Sequence, residues 1–205
     1  MSNFAPDSSK HNLAIEAWLT AQVDDAQQVL DAVRTMTPLL AEIAQRMAEA
    51  LQHGGKILLF GNGGSAADAQ HWAAELTGRF YQNRESLPAL ALSTNTSQVT
   101  ALANDFGYDQ IFAMPLAALG RPGDVAIGLS TSGRSPNVLN ALAIAQQKEL
   151  VTVGFTGTSG DAMAACCDYL VQIPSTDVAR IQEGHELCGH LLCAAAERML
   201  FGEAA

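Results

Sequence analysis

Residues 57–80 read ILLFGNGGSAADAQHWAAELTGRF. Four apolar residues, Ile57–Phe60, run without alternation; three glycines follow within four positions, and from Ala66 the composition becomes helical. A continuous apolar run marks a strand buried on both faces. Gly61, Gly63 and Gly64 allow a sharp turn, and Ser65 stands where a serine would cap the next helix. The pattern recurs downstream. Apolar runs Ala89–Leu92, Val125–Leu129, Val151–Phe155 and Tyr169–Ile173 alternate with glycine- or serine-rich turns and helical stretches, among them Ala66–Phe80, Pro136–Lys148 and Asp161–Cys166. Strand–helix repetition of this kind predicts an α/β chain with a doubly wound parallel sheet between helical layers.

Upstream, Asn12–His53 is helical in texture and free of glycine. Leu30, Val33, Met36, Leu40, Ile43 and Met47 recur at three- and four-residue steps, one apolar stripe. Pro38 predicts a break or the first turn of a new helix. Residues 1–37 are therefore expected to form an N-terminal helical arm and 38–205 the main domain. Such an arm packs either on another subunit or on its own domain. The closing segment, Arg180 to about Phe201, predicts a long helix whose apolar face carries Leu187, Leu191, Leu192, Ala195 and Met199.

The chain has 205 residues, 48% hydrophobic and 16% charged, with 11 Lys+Arg against 21 Asp+Glu and a formal charge of −10. One domain's worth of chain with so few charges buries much of its surface, in its own core or against copies of itself. The balance argues against disorder and against nucleic acid, whose phosphates need clustered lysine and arginine. An acidic chain still binds a small anion when backbone N–H groups hold it. The opening MSNFAPDSSKHN has no apolar core of a secretory signal, and no run reaches the ~18 apolar residues of a membrane span. Cys166, Cys167, Cys188 and Cys193 lack metal-finger spacing and are expected to be free thiols in a reducing cytoplasm.

In open α/β sheets, ligands bind beyond the carboxyl ends of strands. Two such ends carry unusual loops. One is Gly61-Asn62-Gly63-Gly64-Ser65; the other, Ser130-Thr131-Ser132-Gly133-Arg134-Ser135-Pro136, offers four hydroxyls in six residues. Hydroxyls, backbone N–H groups and a helix N-terminus make an anion cradle without lysine. Neither loop has the lysine of a P-loop or the Gly-x-Gly-x-x-Gly of a dinucleotide fold. His71 and Glu75 are four residues apart on the helix after the glycine loop. They share a face there, half of a zinc site or a plain helix-face pair. The last helix opens with a polar, histidine-bearing stretch, 180–190. His11 and His53 are expected to face solvent.

From about Pro38 to Phe201 the chain resembles the sugar isomerase (SIS) domain family, which binds phosphosugars with a serine-rich loop. That resemblance implies a three-layer α/β/α sandwich with a five-stranded parallel sheet. GNGGSAADAQHWAAELTGRF (61–80), ANDFG (103–107), STSGRSPN (130–137) and ARIQEGHELCGH (179–190) are similar, in order, to four motifs of its phosphoheptose isomerase branch. These enzymes interconvert sedoheptulose 7-phosphate and D-glycero-D-manno-heptose 7-phosphate, the first step toward ADP-heptose and the lipopolysaccharide core. The resemblance implies one Zn2+ per subunit on His71, Glu75, Gln182 and His190, with Glu75 and His190 as the acid–base pair. It places substrate contacts on Asn62, Gly63, Gly64, Ser65, Glu75, Asn104, Asp105, Ser130, Thr131, Ser132, Ser135 and Gln182. It also implies a cytoplasmic homotetramer.

Gln182 and His190 would lie about 12 Å apart along an ideal helix and about 80° around it. Either Gln182 precedes the regular helix, or different subunits supply parts of the site; the second is expected. Two departures from the branch are visible: Arg134 stands where the loop often has Asn, and Ala179 where some members have Asp. A rival reading is a non-catalytic SIS protein that binds a replication-initiator partner, which would dispense with Glu75 and His190. Another is an etherase acting on an amino-sugar phosphate, which the His71/Glu75/Gln182/His190 set disfavours.

Overall fold

The uninterrupted apolar runs become strands because both of their faces are covered. In a computed structural model, which describes residues 8–202 and the side chains from Asn12 onward, five strands pair in parallel in the order β2-β1-β3-β4-β5. They are β1 (Ile57–Gly61), β2 (Ala89–Ala91), β3 (Val125–Leu129), β4 (Val151–Thr156) and β5 (Tyr169–Gln172). In register, Ile57 faces Val125 and Val125 faces Val151. Alternate residues of each strand enter opposite cores. Ile57, Leu59, Ile127, Val153 and Phe155 join one, and Leu58, Phe60 and Ala126 the other.

The first core is closed by helices α1 (Ser8–Thr35), α2 (Thr37–Gln52), α3 (Gly64–Thr77) and the last helix, α8 (Val178–Phe201). The second lies under α4 (Thr96–Phe106), α5 (Ala113–Leu119), α6 (Pro136–Gln147) and α7 (Asp161–Ala164). This is the expected three-layer sandwich. The expected break near Pro38 falls at Met36, with the proline in the first turn of α2.

Two stripes are corrected. In the arm the buried positions are Val29 and Val33, while Leu30 is 47% exposed. One residue of helix is 100° of rotation, enough to turn Leu30 to solvent. On α8 the inward residues are Ile181, Gly184, His185, Cys188, Gly189, Leu192, Cys193 and Ala196. Leu191 and Met199 are exposed instead. Small residues face inward because α8 packs closely on both α2 and α3; a Cβ at Gly189 would fall 1.8 Å from the Trp72 indole. The arm's own packing is divided. Val29 and Val33 enter the chain's core, whereas Leu13, Trp18, Leu19 and Val23 are exposed apolar residues. His53 is exposed as expected; the side chain of His11 lies outside the described residues.

A buried ion pair ties α8 to the end of α3. Glu197 accepts the backbone N–H groups of Phe80, Tyr81 and Gln82 and the Nε–H of Arg84 at 2.8–3.1 Å. Arg84 in turn donates to the carbonyls of Glu75 and Leu76. Burial opposes charge on Glu197, but these donors outweigh it and hold its pKa below the ordinary glutamate value.

Candidate active site

The order β2-β1-β3 puts a topological switch point between β1 and β3, and both unusual loops lie there. After β1 the chain turns at Gly63, whose φ of +58° suits glycine, and α3 starts at Gly64. Ser65 does not cap the helix as expected. The helix is capped two residues earlier, at Gly63, and Ser65 is buried in the first turn against Gly61. A Cβ at Gly61 would fall 2.8 Å from that of Ser65, so this first glycine of the loop serves close packing. Ala66 and Ala67 donate their N–H groups to the Gly63 carbonyl, so the N–H groups of Gly64 and Ser65 are the ones that precede the first hydrogen-bonded turn.

After β3, Ser130 is buried, and its Oγ lies 2.9 Å from Ser135 Oγ and 3.4 Å from Ser132 Oγ. Gly133, at φ +64°, folds the loop back, and a Cβ there would strike the Ser159 carbonyl at 2.6 Å. Ser135 takes the N-cap position of α6 without spending its hydroxyl on a cap bond, and Pro136 opens the helix. Hydroxyls and helix N-terminus thus converge as an anion cradle. Arg134 is exposed; with Thr131, Ser132, Thr158 and Ser159 it lines a small cleft beside the cradle. The two loops are joined by side chains. Asn62 and Asn137 exchange amide hydrogen bonds at 2.9 and 2.8 Å, and the Tyr108 hydroxyl donates to Asn62 Oδ1 at 3.1 Å. Asn104 and Asp105 are exposed at the end of α4, bonded to each other at 2.8 Å.

Farther along α3, its polar face meets α8. His71 Nε2 and His190 Nε2 are 2.9 Å apart, and Glu186 Oε1 lies 3.2 and 3.1 Å from them. Glu75 Oε1 is 3.6 Å from His71 Nε2. Trp72 Nε1–H donates to Glu186 Oε2 at 2.8 Å, which fixes that carboxylate between the imidazoles. Trp72 reaches it because residue 189 is glycine. His71, Glu186 and His190 offer two imidazole nitrogens and a carboxylate oxygen within 4.8 Å of one another, a donor set that suits zinc. Gln182 lies inside α8, not before it, so one explanation of the Gln182–His190 spacing falls away. Its amide packs over Gly64, where a Cβ would fall 2.3 Å from Gln182 Nε2. Asp177, two residues before Ala179, caps α8 through the Ala179 N–H at 2.8 Å.

Two titratable groups flank this seam. Burial, reinforced by Glu186, pushes the Asp68 carboxyl up to about 6. Burial holds His185, which stacks edge-on to Phe155, down to about 4 and hence neutral. Sequence reasoning missed Glu186, Trp72, Asn137 and Tyr108. Glu186 did leave a signal, standing four residues before His190 as His71 stands before Glu75.

Comparison with known proteins bears on what this arrangement serves. The SIS domain family model matches residues 22–157. A phosphoheptose isomerase of Burkholderia pseudomallei (strain 1710b) is 47% identical over 190 residues, 91% of this chain and 96% of the relative. One from Paramagnetospirillum magneticum (strain ATCC 700264 / AMB-1) is 57% identical over 155 residues, 76% of this chain and 81% of the relative. The structure of a phosphoheptose isomerase from Neisseria gonorrhoeae superposes with a TM-score of 0.84 at 39% identity, covering 89% of this chain and 98% of that one. The chain belongs to the SIS domain family and, within it, to the phosphoheptose isomerases, a class of aldose–ketose isomerase. The non-catalytic reading is thereby set aside. No helix among the described residues is long and apolar enough to cross a membrane.

Proposed function

We propose that the chain interconverts sedoheptulose 7-phosphate and D-glycero-D-manno-heptose 7-phosphate, in the cytoplasm, as the first step toward ADP-heptose and the lipopolysaccharide core. The observation that carries this reading is the pairing of two sites across one switch point: a hydroxyl cradle on β3–α6 and an acid–base cluster on α3 and α8. A sugar phosphate needs both, one for its charged end and one for its reacting carbons.

Isomerisation moves a proton between C1 and C2 through an enediol. Glu75 is assigned the carbon proton and His190 the oxygen protons. Ser130, Thr131, Ser132 and Ser135 hold the phosphate, so binding energy spent there positions the reacting carbons. The N–H groups of Gly63 and Gly64 and the amide of Asn62 face the sugar beside the cluster; Ser65, being buried, supports this loop from beneath. Asn104, Asp105 and Gln182 are assigned to sugar hydroxyls. His71, Glu75, Gln182 and His190 would hold a zinc ion, with Glu186 beside His71 and His190. A bound zinc ion would polarise the oxygens on C1 and C2.

The oligomer proposed is a homotetramer with active sites at subunit interfaces, and residues 1–37 are assigned to its assembly. The exposed Leu13, Trp18, Leu19 and Val23 support this, since a second chain would cover them. The test of the whole reading is conversion of sedoheptulose 7-phosphate by purified protein, before and after dialysis against a chelator. Expected are turnover, its loss on dialysis and its recovery with zinc. Absence of turnover from zinc-loaded protein would defeat the substrate assignment, and full turnover by metal-free protein would defeat the role of zinc.

A further inference from the structure

The cradle and the glycine loop are on different strands, yet their side chains are locked together beneath the site. Asn137, the residue after Pro136, is 2% exposed. Both polar atoms of its amide turn to Asn62: Nδ2 donates to Asn62 Oδ1 at 2.8 Å, and Oδ1 accepts from Asn62 Nδ2 at 2.9 Å. Asn62 Oδ1 also accepts from the Tyr108 hydroxyl at 3.1 Å. Each bond alone is worth little net, but a buried amide left unpaired costs more than its bond supplies. The pair therefore closes as a unit, and it leaves Asn62 one N–H free to face the site.

We propose that Asn137 is a positioning residue, which, together with Tyr108, sets the Asn62 amide and the glycine loop relative to the phosphate cradle. This rests on the function proposed above. The logic is geometric. Ser135 is the N-cap of α6 and Asn137 lies two residues on in its first turn, so whatever orders the cradle also orders the lock. Phosphate held by the serines is thereby tied to the place where Asn62 meets the sugar. A misplacement of about 1 Å between binding and reacting ends costs an enzyme about 100-fold.

The test is a double-mutant cycle on Asn62→Ala and Asn137→Ser, with kcat and KM for sedoheptulose 7-phosphate, inhibition by inorganic phosphate and thermal unfolding read on each. For Asn137→Ser, kcat is expected to fall about 10- to 100-fold while the phosphate Ki changes less than about twofold, because the serines remain in place. The double variant is expected to be no slower than Asn62→Ala alone. Additive losses, or a Ki that rises in step with the loss of kcat, would reduce Asn137 to ordinary packing and overturn the proposal. If Asn137→Ser does not fold, Tyr108→Phe decides. Tyr108 is exposed, and loss of its hydroxyl should lower kcat several-fold with Ki unchanged; unaltered kcat overturns the proposal. A zinc-loaded wild type without isomerase activity would overturn the functional reading and this proposal together, whereas an active wild type with additive variants overturns this proposal alone.

Discussion

Glu186 shows how a residue gains a role from its neighbours. Its Oε2 is held by the Trp72 indole and its Oε1 stands between His71 and His190. Glu186→Gln keeps the size of the side chain but removes the charge shared by both histidines. If Glu186 steadies the cluster, zinc affinity should fall about 10- to 100-fold, the usual cost of losing a partner to metal ligands. Competitive chelator titration measures this. His190→Gln should cost about 10²- to 10⁴-fold in kcat, the ordinary share of one acid–base group, with unchanged inhibition by inorganic phosphate. That contrast separates the reacting end from the phosphate end in a single kinetic series.

At the scale of elements, the contact of α3 with α8 decides whether the site exists at all. Gly189 admits the Trp72 ring, and a methyl group there would overlap an indole that cannot move aside. Gly189→Ala is expected to destabilise by about 1–3 kcal/mol and to displace Trp72 from Glu186, read as a lower denaturation midpoint and reduced zinc binding. The Glu197–Arg84 pair clamps the far end of α3. Glu197→Ala leaves the buried Arg84 guanidinium uncompensated, at a cost of about 3–5 kcal/mol by urea unfolding. The sign of its pH dependence follows from a folded pKa below the unfolded one. The contribution of Glu197 is complete above the ordinary glutamate pKa of about 4.3 and is lost as pH falls through the lower folded value. The acid limb of stability should therefore be shallower in Glu197→Gln than in the wild type.

The elements differ in how plainly they could be read. The strands and both loops were legible because their signals are local: apolar runs for two-sided burial, then glycines or hydroxyls at the turn. Helices α4 and α5 were not: both are short, and α4 buries no residue fully, its Val99, Leu102 and Ala103 packing only partly against the second core. The inward face of α8 was misread because glycine, cysteine and alanine make up much of it beside Ile181 and Leu192, while Leu191 and Met199 face outward. Glu186, Trp72 and Asn137 acquire their roles only when distant segments meet, and periodicity carries no record of that meeting.

For the whole molecule, the sparse charge acquires a proposed destination. Apolar side chains on α1 lie exposed, and a tetramer of the 21.6-kDa chain would cover them. Light scattering should give about 86 kDa, and Trp18→Glu with Val23→Glu should shift the protein to smaller species and lower its activity. A fully active monomer would contradict the shared-site account. The charge of −10 is compatible with an anionic substrate when hydroxyls, helix N-termini and zinc do the binding. The most direct test of the central claim compares the rate of sedoheptulose 7-phosphate isomerisation by wild type and by Glu75→Gln, at matched zinc content and matched folded fraction. The account predicts turnover by the wild type and a loss of about 10²- to 10⁴-fold in the variant. An inactive wild type, or a variant as fast as the wild type, would contradict it.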